Sequence, residues 1–354
     1  MNTKIFHIEN NENITAKEDE MLREAGEILK NGGLVAFPTE TVYGLGGDAL
    51  NPTSSKKIYA AKGRPSDNPL IVHIYRFEDI YKIVKEVPDI CKKLADQFWP
   101  GPLTMILEKS DAVPFETTGG LGTVAVRFPS HKTAQKLIEY AGGYVAAPSA
   151  NVSGRPSPTV FKYVDEDMNG KIEAIIDGGE VGIGLESTII DLTVDPPQIL
   201  RPGFITKEKF EEIISKVDVD ITTMKGDTGK APKAPGMKYR HYAPKGDLTI
   251  VSGKPESVVS YINEQVAKDK AAGEKVGIIC TDELKAGYLG ADCVKSAGSR
   301  TDEEAIARHL YTMLRQFDDE NVTKMYSESF DSSGFGQAIM NRLLKAAGHK
   351  VINV

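Results

Sequence analysis

The sequence predicts an α/β protein of two units, the first larger and of mixed strands, the second smaller and built on strand and helix in turn. Three observations carry that prediction. Short apolar runs bounded by Gly, Pro or Asn recur through residues 34–203, interspersed with stretches of helical period. A tract dense in Gly, Pro and Lys, "TTMKGDTGKAPKAPGMKYRHYAPKGD", then interrupts them. Beyond it strand and helix alternate, which implies a small parallel sheet sandwiched by helices.

Taken in order, the first helix has Thr15 as its N-cap, Met21, Leu22, Ala25, Ile28 and Leu29 on one face, and Gly32–Gly33 as its stop. "GLVAFP" is a strand closed by Pro38. "TETVYGLGGDA" is too rich in Gly and Thr for a plain helix and reads as a loop or bent strand at a site. Strands follow at "LIVHI", "LTMILE", "TVAVRF", "YVAAPSA", "AIIDGG", "STIIDL" and "QILRPG", with helical stretches near 53–61, 88–98 and 131–141. A modest helix around 207–215 leads into the Gly/Pro/Lys tract, read as a linker. After it come strand "LTIVSG", helix 255–268, strand "KVGIICT" and a strand near 292–296. A helix starting at Asp302 shows one stripe of Ile306, Leu310, Met313, Leu314 and Phe317; strand "KMYSES" and a helix over about 336–347 complete the pattern. The expected domains are 1–205, a linker over 206–246, and 247–354.

A net charge of −7 argues against broad attachment to nucleic acid or an anionic membrane, so any basic site is small. Three cysteines, Cys91, Cys280 and Cys293, are odd in number and widely spaced, which suits neither a disulfide framework nor a zinc site. The first residues lack the apolar core of a signal peptide, and no segment approaches the roughly 20 apolar residues of a membrane span. A reducing cytoplasm without membrane contact is the expectation.

The chemistry has to come from side chains. G-x-x-x-x-G-K-[ST] is absent and "GLGGD" falls short of G-x-G-x-x-G, so ATP, if bound, lacks either Gly-rich cradle. H-E-x-x-H, G-x-S-x-G and paired cysteines are absent too, and no obvious carboxylate base stands out. In "KGRPSDNP" an isolated Lys62 and Arg64 would be a solvated pair, but Pro65 and Pro69 stiffen the turn and favour a phosphate clamp. His73, between apolar neighbours, reads by itself as a core histidine, and "SANVSGRPSPT" by itself as a loop. "APGMKYRHYAP" carries two tyrosines, a His, an Arg and a Met, unusual for an inert tether. The residues alone therefore lead to a cationic, Pro-stiffened pocket for a phosphorylated or anionic small molecule.

Together and in this order, "FPTETVYGLG", "KGRPSDNPL", "FWPGPLT", "VAVRFPSH", "APSANVSGRPSPT", "ESTIIDL" and "ILRPG" resemble the YrdC family. The appended second domain makes the chain similar to the longer, two-domain threonylcarbamoyl-AMP synthases within it. The resemblance runs from about residue 20 to 204 and through "PGMKYRHYAP", then by architecture more than by motif. It implies a YrdC-like domain with a twisted mixed sheet flanked by helices, plus a smaller C-terminal Rossmann-like α/β/α domain. It also implies synthesis of L-threonylcarbamoyladenylate and pyrophosphate from L-threonine, bicarbonate and ATP with Mg2+. The product would pass to a tRNA threonylcarbamoyl transferase complex for threonylcarbamoyladenosine formation.

Carried over residue by residue, the resemblance implies Thr41, His73, Arg127, the backbone at Ala147, and Ser187 around L-threonine. Arg64, Asn68, Thr123, Ser149, Ser157, Arg201 and Tyr242 would surround ATP. Lys62, Arg64, Ser149 and Asn151 would form the catalytic set, Lys62 and Arg64 holding phosphates and carbamate. Tyr239, His241 and Tyr242 would form a lid. No metal ligands can be ranked, because Asp and Glu are too many. The rival readings are an RNA-binding module, with weak RNA binding allowed for, and a tRNA-modification accessory without its own synthase activity.

Overall fold

The structure is a computed structural model in which residues 1–220 and 241–354 are described. It divides into two units. The first comprises Met1–Ser153, Ser157–Gly182 and the described part of Glu186–Lys238; the second comprises Gly154–Pro156, Ile183–Leu185 and the described part of Tyr239–Val354. Two short segments that sequence order places among the mixed strands thus belong to the second unit.

The strands of the first unit are β1 (Lys4–His7), β2 (Val35–Phe37), β3 (Gly44–Asp48), β4 (Ile71–His73), β5 (Leu103–Glu108) and β6 (Thr123–Arg127). They continue with β7 (Val145–Ala146), β8 (Ala174–Asp177), β9 (Thr188–Asp191), β10 (Gln198–Arg201) and β11 (Asp218–Val219). Among the described residues they form one mixed sheet in the order β1-β8-β2-β3-β7-β4-β6-β5-β9-β10-β11. Both faces are covered. Successive residues of a strand point to opposite faces, so Leu34 and Ala36 join one apolar core while Val35 and Phe37 join another.

Helix α1 (Ala16–Lys30) starts at Thr15 with a full capping box: Thr15 Oγ1 accepts from the Glu18 amide and Glu18 answers the Thr15 amide. Its Leu22, Ala25 and Leu29 pack on Ala134, Leu137 and Ile138 of the helix Lys132–Tyr140. Helix α2 (Pro52–Lys62) is capped by the Asn51 side chain and ends at Gly63, left-handed at φ 60°. Lys62 is therefore the last helical residue, and Arg64 opens the turn that leads to β4.

Two elements go beyond the sequence reading. Residues 44–48, read as a loop or bent strand, form β3, paired antiparallel with β2. Its glycines are matters of space, since a Cβ on Gly46 would lie 2.9 Å from Val145 Cγ1 and 3.0 Å from Phe37 Cε1. Strand β1, with only two apolar residues, has no readable periodicity and forms because β8 offers it a parallel edge.

In the second unit, β12 (Asp247–Ser252), β13 (Val276–Cys280), β14 (Cys293–Ser296), β15 (Lys324–Glu328) and β16 (Val351–Asn353) make a sheet ordered β14-β13-β15-β12-β16. Every pairing in it is parallel. Helices Pro255–Ala271, Glu303–Asp319 and Gly336–Ala346 supply the crossovers. The expected stripe on the second of these is buried at Ile306, Leu310, Met313, Leu314 and Phe317. No described helix is long and apolar enough to cross a membrane.

Candidate active site

Sheet register builds one end of the site. His73 pairs with Val145 on one side and Arg127 on the other, Arg127 pairs with Thr104, Thr104 with Ile189, and Ile189 with Arg201. Directly paired residues share a face. His73, Arg127, Thr104 and Arg201, from four strands scattered over the sequence, therefore stand in one row. Ser187, just before β9, closes it: its hydroxyl lies 2.7 Å from Thr104 Oγ1, and Arg201 donates to its carbonyl from Nε at 3.0 Å and to its hydroxyl from Nη2 at 3.2 Å.

Arg127 is 4% exposed, and its Nη2 lies 2.7 Å from Glu40 Oε1. The charges touch but their hydrogen-bonding directions miss: Nε and Nη2 of Arg127 and both oxygens of Glu40 are buried without an aligned partner. Nδ1 of His131, which feels both charges, is also buried and unsatisfied. Buried polar atoms of this kind take a water or a further polar group as partner. Burial and the Arg127 charge together hold His73 down to about 3, so its ring is neutral, with Nδ1 3.2 Å from the Ile71 carbonyl. Burial likewise lowers His131 to about 4, against the pull of Glu40. Thr41, next to Glu40, is fully buried, with its hydroxyl 2.9 Å from that of Thr39. Ala147 donates its amide to the Ile71 carbonyl at 2.9 Å, leaving only its carbonyl for a ligand.

The other end lies where β4 and β6 begin. Arg64 turns back over its own loop, with Nη2 3.3 Å from the Pro69 carbonyl. Asn68 is buried, and its Oδ1 has no hydrogen-bond partner. Thr123 opens β6, two residues before Ala125, the parallel partner of Ile71. Thr123 and Arg127 point to the same face four residues apart, a span of about 13 Å.

A third group sits on the loop after β7. The Lys62 ammonium, on a side chain 1% exposed, donates to the carbonyls of Ser149 and Asn151 at 2.5 Å each, and the Ser153 amide donates back to the Lys62 carbonyl at 2.8 Å. Where the sequence suggested a cation directed at phosphate and carbamate, the structure places two of its bonds on the loop that carries Ser149 and Asn151. Ser157 donates to Glu186 Oε1 at 2.6 Å.

The residues expected to form a lid are described in part. Tyr239 lies outside the described residues. Tyr242, at φ 64°, stacks on Tyr311 with ring centroids 5.1 Å apart, and His241 tilts against it at 5.6 Å, all within the second unit. Sequence reasoning did not single out Glu40, Thr104, His131 or Glu186, which stand beside Arg127, Ser187 and Ser157. The only signal was membership in the motif segments, because nothing in a lone Glu or Thr shows which charge it will meet.

A buried guanidinium, a neutral imidazole and paired hydroxyls at one end, with a second cation and a Ser/Asn loop near the other, define a class: an α/β protein whose first unit binds small polar, anionic ligands on one face of a mixed sheet. Residues 27–203 match the family model Sua5/YciO/YrdC, described as telomere recombination, and residues 205–348 match the threonylcarbamoyl-AMP synthase C-terminal domain. The chain belongs to this two-domain family. It is 49% identical to the threonylcarbamoyl-AMP synthase of Pyrococcus abyssi over 95% of this chain and 97% of that one. With the Bacillus subtilis protein of the same name it shares 47% identity over 99% and 100%. The crystal structure of P. abyssi Sua5 complexed with L-threonine superposes with a TM-score of 0.93 at 47% identity, covering 99% of this chain and all, 100%, of that one.

Proposed function

We propose that this chain is a threonylcarbamoyl-AMP synthase that converts L-threonine, bicarbonate and ATP to threonylcarbamoyl-AMP and pyrophosphate, for threonylcarbamoyladenosine in tRNA. The relatives' names support this reading over the RNA-binding and accessory ones. The observation that carries it is Arg127, a buried guanidinium whose Nε has no hydrogen-bond partner, in a row with neutral His73. That is a receptor for a small carboxylate, as an amino acid requires.

Arg127, Thr41, His73, Ser187 and the Ala147 carbonyl hold L-threonine; Arg64, Asn68, Thr123, Ser149, Ser157 and Arg201 hold ATP; His241 and Tyr242 contribute to a lid. Lys62 and Asn151 act with Ser149, Lys62 chiefly by fixing their loop. The neutral threonine amine adds to CO2 formed from bicarbonate, losing a proton and giving the carbamate. A carbamate oxygen then attacks the α-phosphorus in line, and the bond to pyrophosphate breaks. Such a reaction asks for positioning and charge compensation more than for covalent help.

Among the described residues no three His, Cys, Asp or Glu side chains converge as a metal site would need, so no resident metal is assigned. Mg2+ enters with ATP as part of the substrate. The three cysteines are unpaired, in keeping with a cytoplasmic location, and the product passes to a tRNA threonylcarbamoyl transferase complex. Pyrophosphate release by the purified chain tests the reading. It is expected to require both L-threonine and bicarbonate, and release independent of threonine would refute it.

A further inference from the structure

Ser149 and Ser157 both belong to the nucleotide end, and within the first unit one residue meets the neighbour of each. The Tyr43 carbonyl accepts from the Ala150 amide at 2.8 Å, and the Tyr43 amide donates to the Pro158 carbonyl at 3.0 Å. The residues that follow carry the pairing on. Gly44 forms an antiparallel bridge with Ser149, and the Leu45 amide donates to the Pro148 carbonyl at 2.8 Å. Where Tyr43 sits therefore sets how far apart the two serines stand.

Tyr43 is itself held by its side chain. The ring is fully buried, and its hydroxyl donates to the Gly179 carbonyl at 2.7 Å while accepting from the Gly178 amide at 3.1 Å. Burial pushes the phenol well above its usual range, so the proton that makes the first of these bonds stays in place. The turn it grips, just after β8, has little room to move: Gly179 is left-handed at φ 78°, and a Cβ on Gly178 would stand 2.6 Å from Pro38 Cγ. The Val181 amide, which donates to the Thr159 carbonyl at 3.0 Å, ties the same turn to the segment after Ser157. Thr41, two residues before Tyr43 and at the threonine end, has its own fastening. Thr39 Oγ1 donates to the Val42 carbonyl at 2.7 Å and accepts from the Thr41 and Val42 amides at 3.2 and 3.3 Å.

We propose that Tyr43 is a positioning residue for the nucleotide end of the site: its phenol, anchored on Gly178 and Gly179, holds the peptide unit that spaces Ser149 from Ser157 for ATP. Every residue in this brace lies in the first unit. The kinetic arm of the test rests on the synthase reading; the exchange arm does not.

The experiment compares the full chain with Tyr43→Phe, which keeps the ring and removes the anchor. Tyr140→Phe is the control, since its hydroxyl donates to Asp19 Oδ1 at 2.6 Å on α1, away from the site. In Tyr43→Phe, amide deuterium uptake should rise in peptides covering 148–151 and 177–181 and stay unchanged in those covering 71–74 and 123–127. KM for ATP should rise about fivefold or more while KM for L-threonine stays within twofold, and Tyr140→Phe should move neither. Unchanged uptake over 148–151, or equal rises in both KM values, would overturn the proposal. Should Tyr43→Phe fail to fold, Gly179→Ala carries the same comparison: its Cβ meets open space, but the left-handed φ strains the turn that Tyr43 grips. If the wild-type chain makes no adenylate, the exchange data alone decide on the brace, so the two readings fail separately.

Discussion

Glu40 and Arg127 stand 2.7 Å apart as an ion pair whose hydrogen-bonding groups do not line up. Glu40 neutralises the guanidinium and leaves Nε for a second anion. Replacing Glu40 by Gln keeps the shape and removes the charge. Breaking a buried pair costs about 3–5 kcal/mol, and less here because Glu40 is 13% exposed; we expect a melting temperature lower by roughly 3–10 °C. Saturating L-threonine should narrow the gap, since its carboxylate supplies the missing anion. A gap unchanged by threonine in a melting series would count against the carboxylate receptor.

Thr104 was not singled out in the sequence, yet its hydroxyl meets Ser187 beside Arg127 in the row. Thr104→Val leaves the Ser187 hydroxyl without this partner, a change worth about 1–2 kcal/mol. KM for L-threonine should rise roughly 5- to 30-fold with KM for ATP unaffected. Steady-state kinetics with each substrate varied decide it; a rise confined to ATP would remove Thr104 from the threonine end.

Lys62 separates two roles. A cation whose main task is to hold two carbonyls stabilises the fold, and Lys62→Met would strand buried acceptors at a cost of about 1–3 kcal/mol each. We expect a clear drop in the urea midpoint without any ligand present, together with loss of turnover. A variant as stable as the parent but inactive would instead make Lys62 a direct phosphate ligand.

The buried imidazole of His73 gives a pH dependence of definite sign. It titrates near 6.5 when unfolded and near 3 when folded, so between those values the unfolded chain binds more protons. Its contribution to stability is complete above about pH 6.5 and is lost as pH falls, by at most ~1.4 kcal/mol per unit. The charge facing it is Arg127, which pushes the same way. Stability differences between wild type and His73→Gln, from urea midpoints over pH 4.5–8, should shrink below pH 6.5. A difference independent of pH would mean that the ring is not buried and neutral.

Much of the fold was legible because it is written locally. The N-cap at Thr15 and the stripe from Ile306 to Phe317 each depend on neighbours within a turn or two. Strand β1 was not legible, since its reason for existing is the edge of β8, some 170 positions away in the register Lys4↔Ala174. For the site, the motifs marked segments without ranking the residues inside them. "TETVYG" shows Thr41 and Glu40 equally, and only the approach of Arg127 tells which one carries the balancing charge.

By itself the sequence determined the class of fold, the kinds of side chain available to the chemistry, and the turns where they would surface, because period, capping and proline stiffness act over a few residues. Tertiary structure alone decided that His73, Arg127, Thr104 and Arg201 form one row, and that Lys62 turns onto the carbonyls of Ser149 and Asn151. Strand register and the partner of a buried charge are fixed by elements distant in the chain. The free energy that selects them, apolar burial on both faces of a sheet and the cost of an unpaired ion, does not exist until those elements meet.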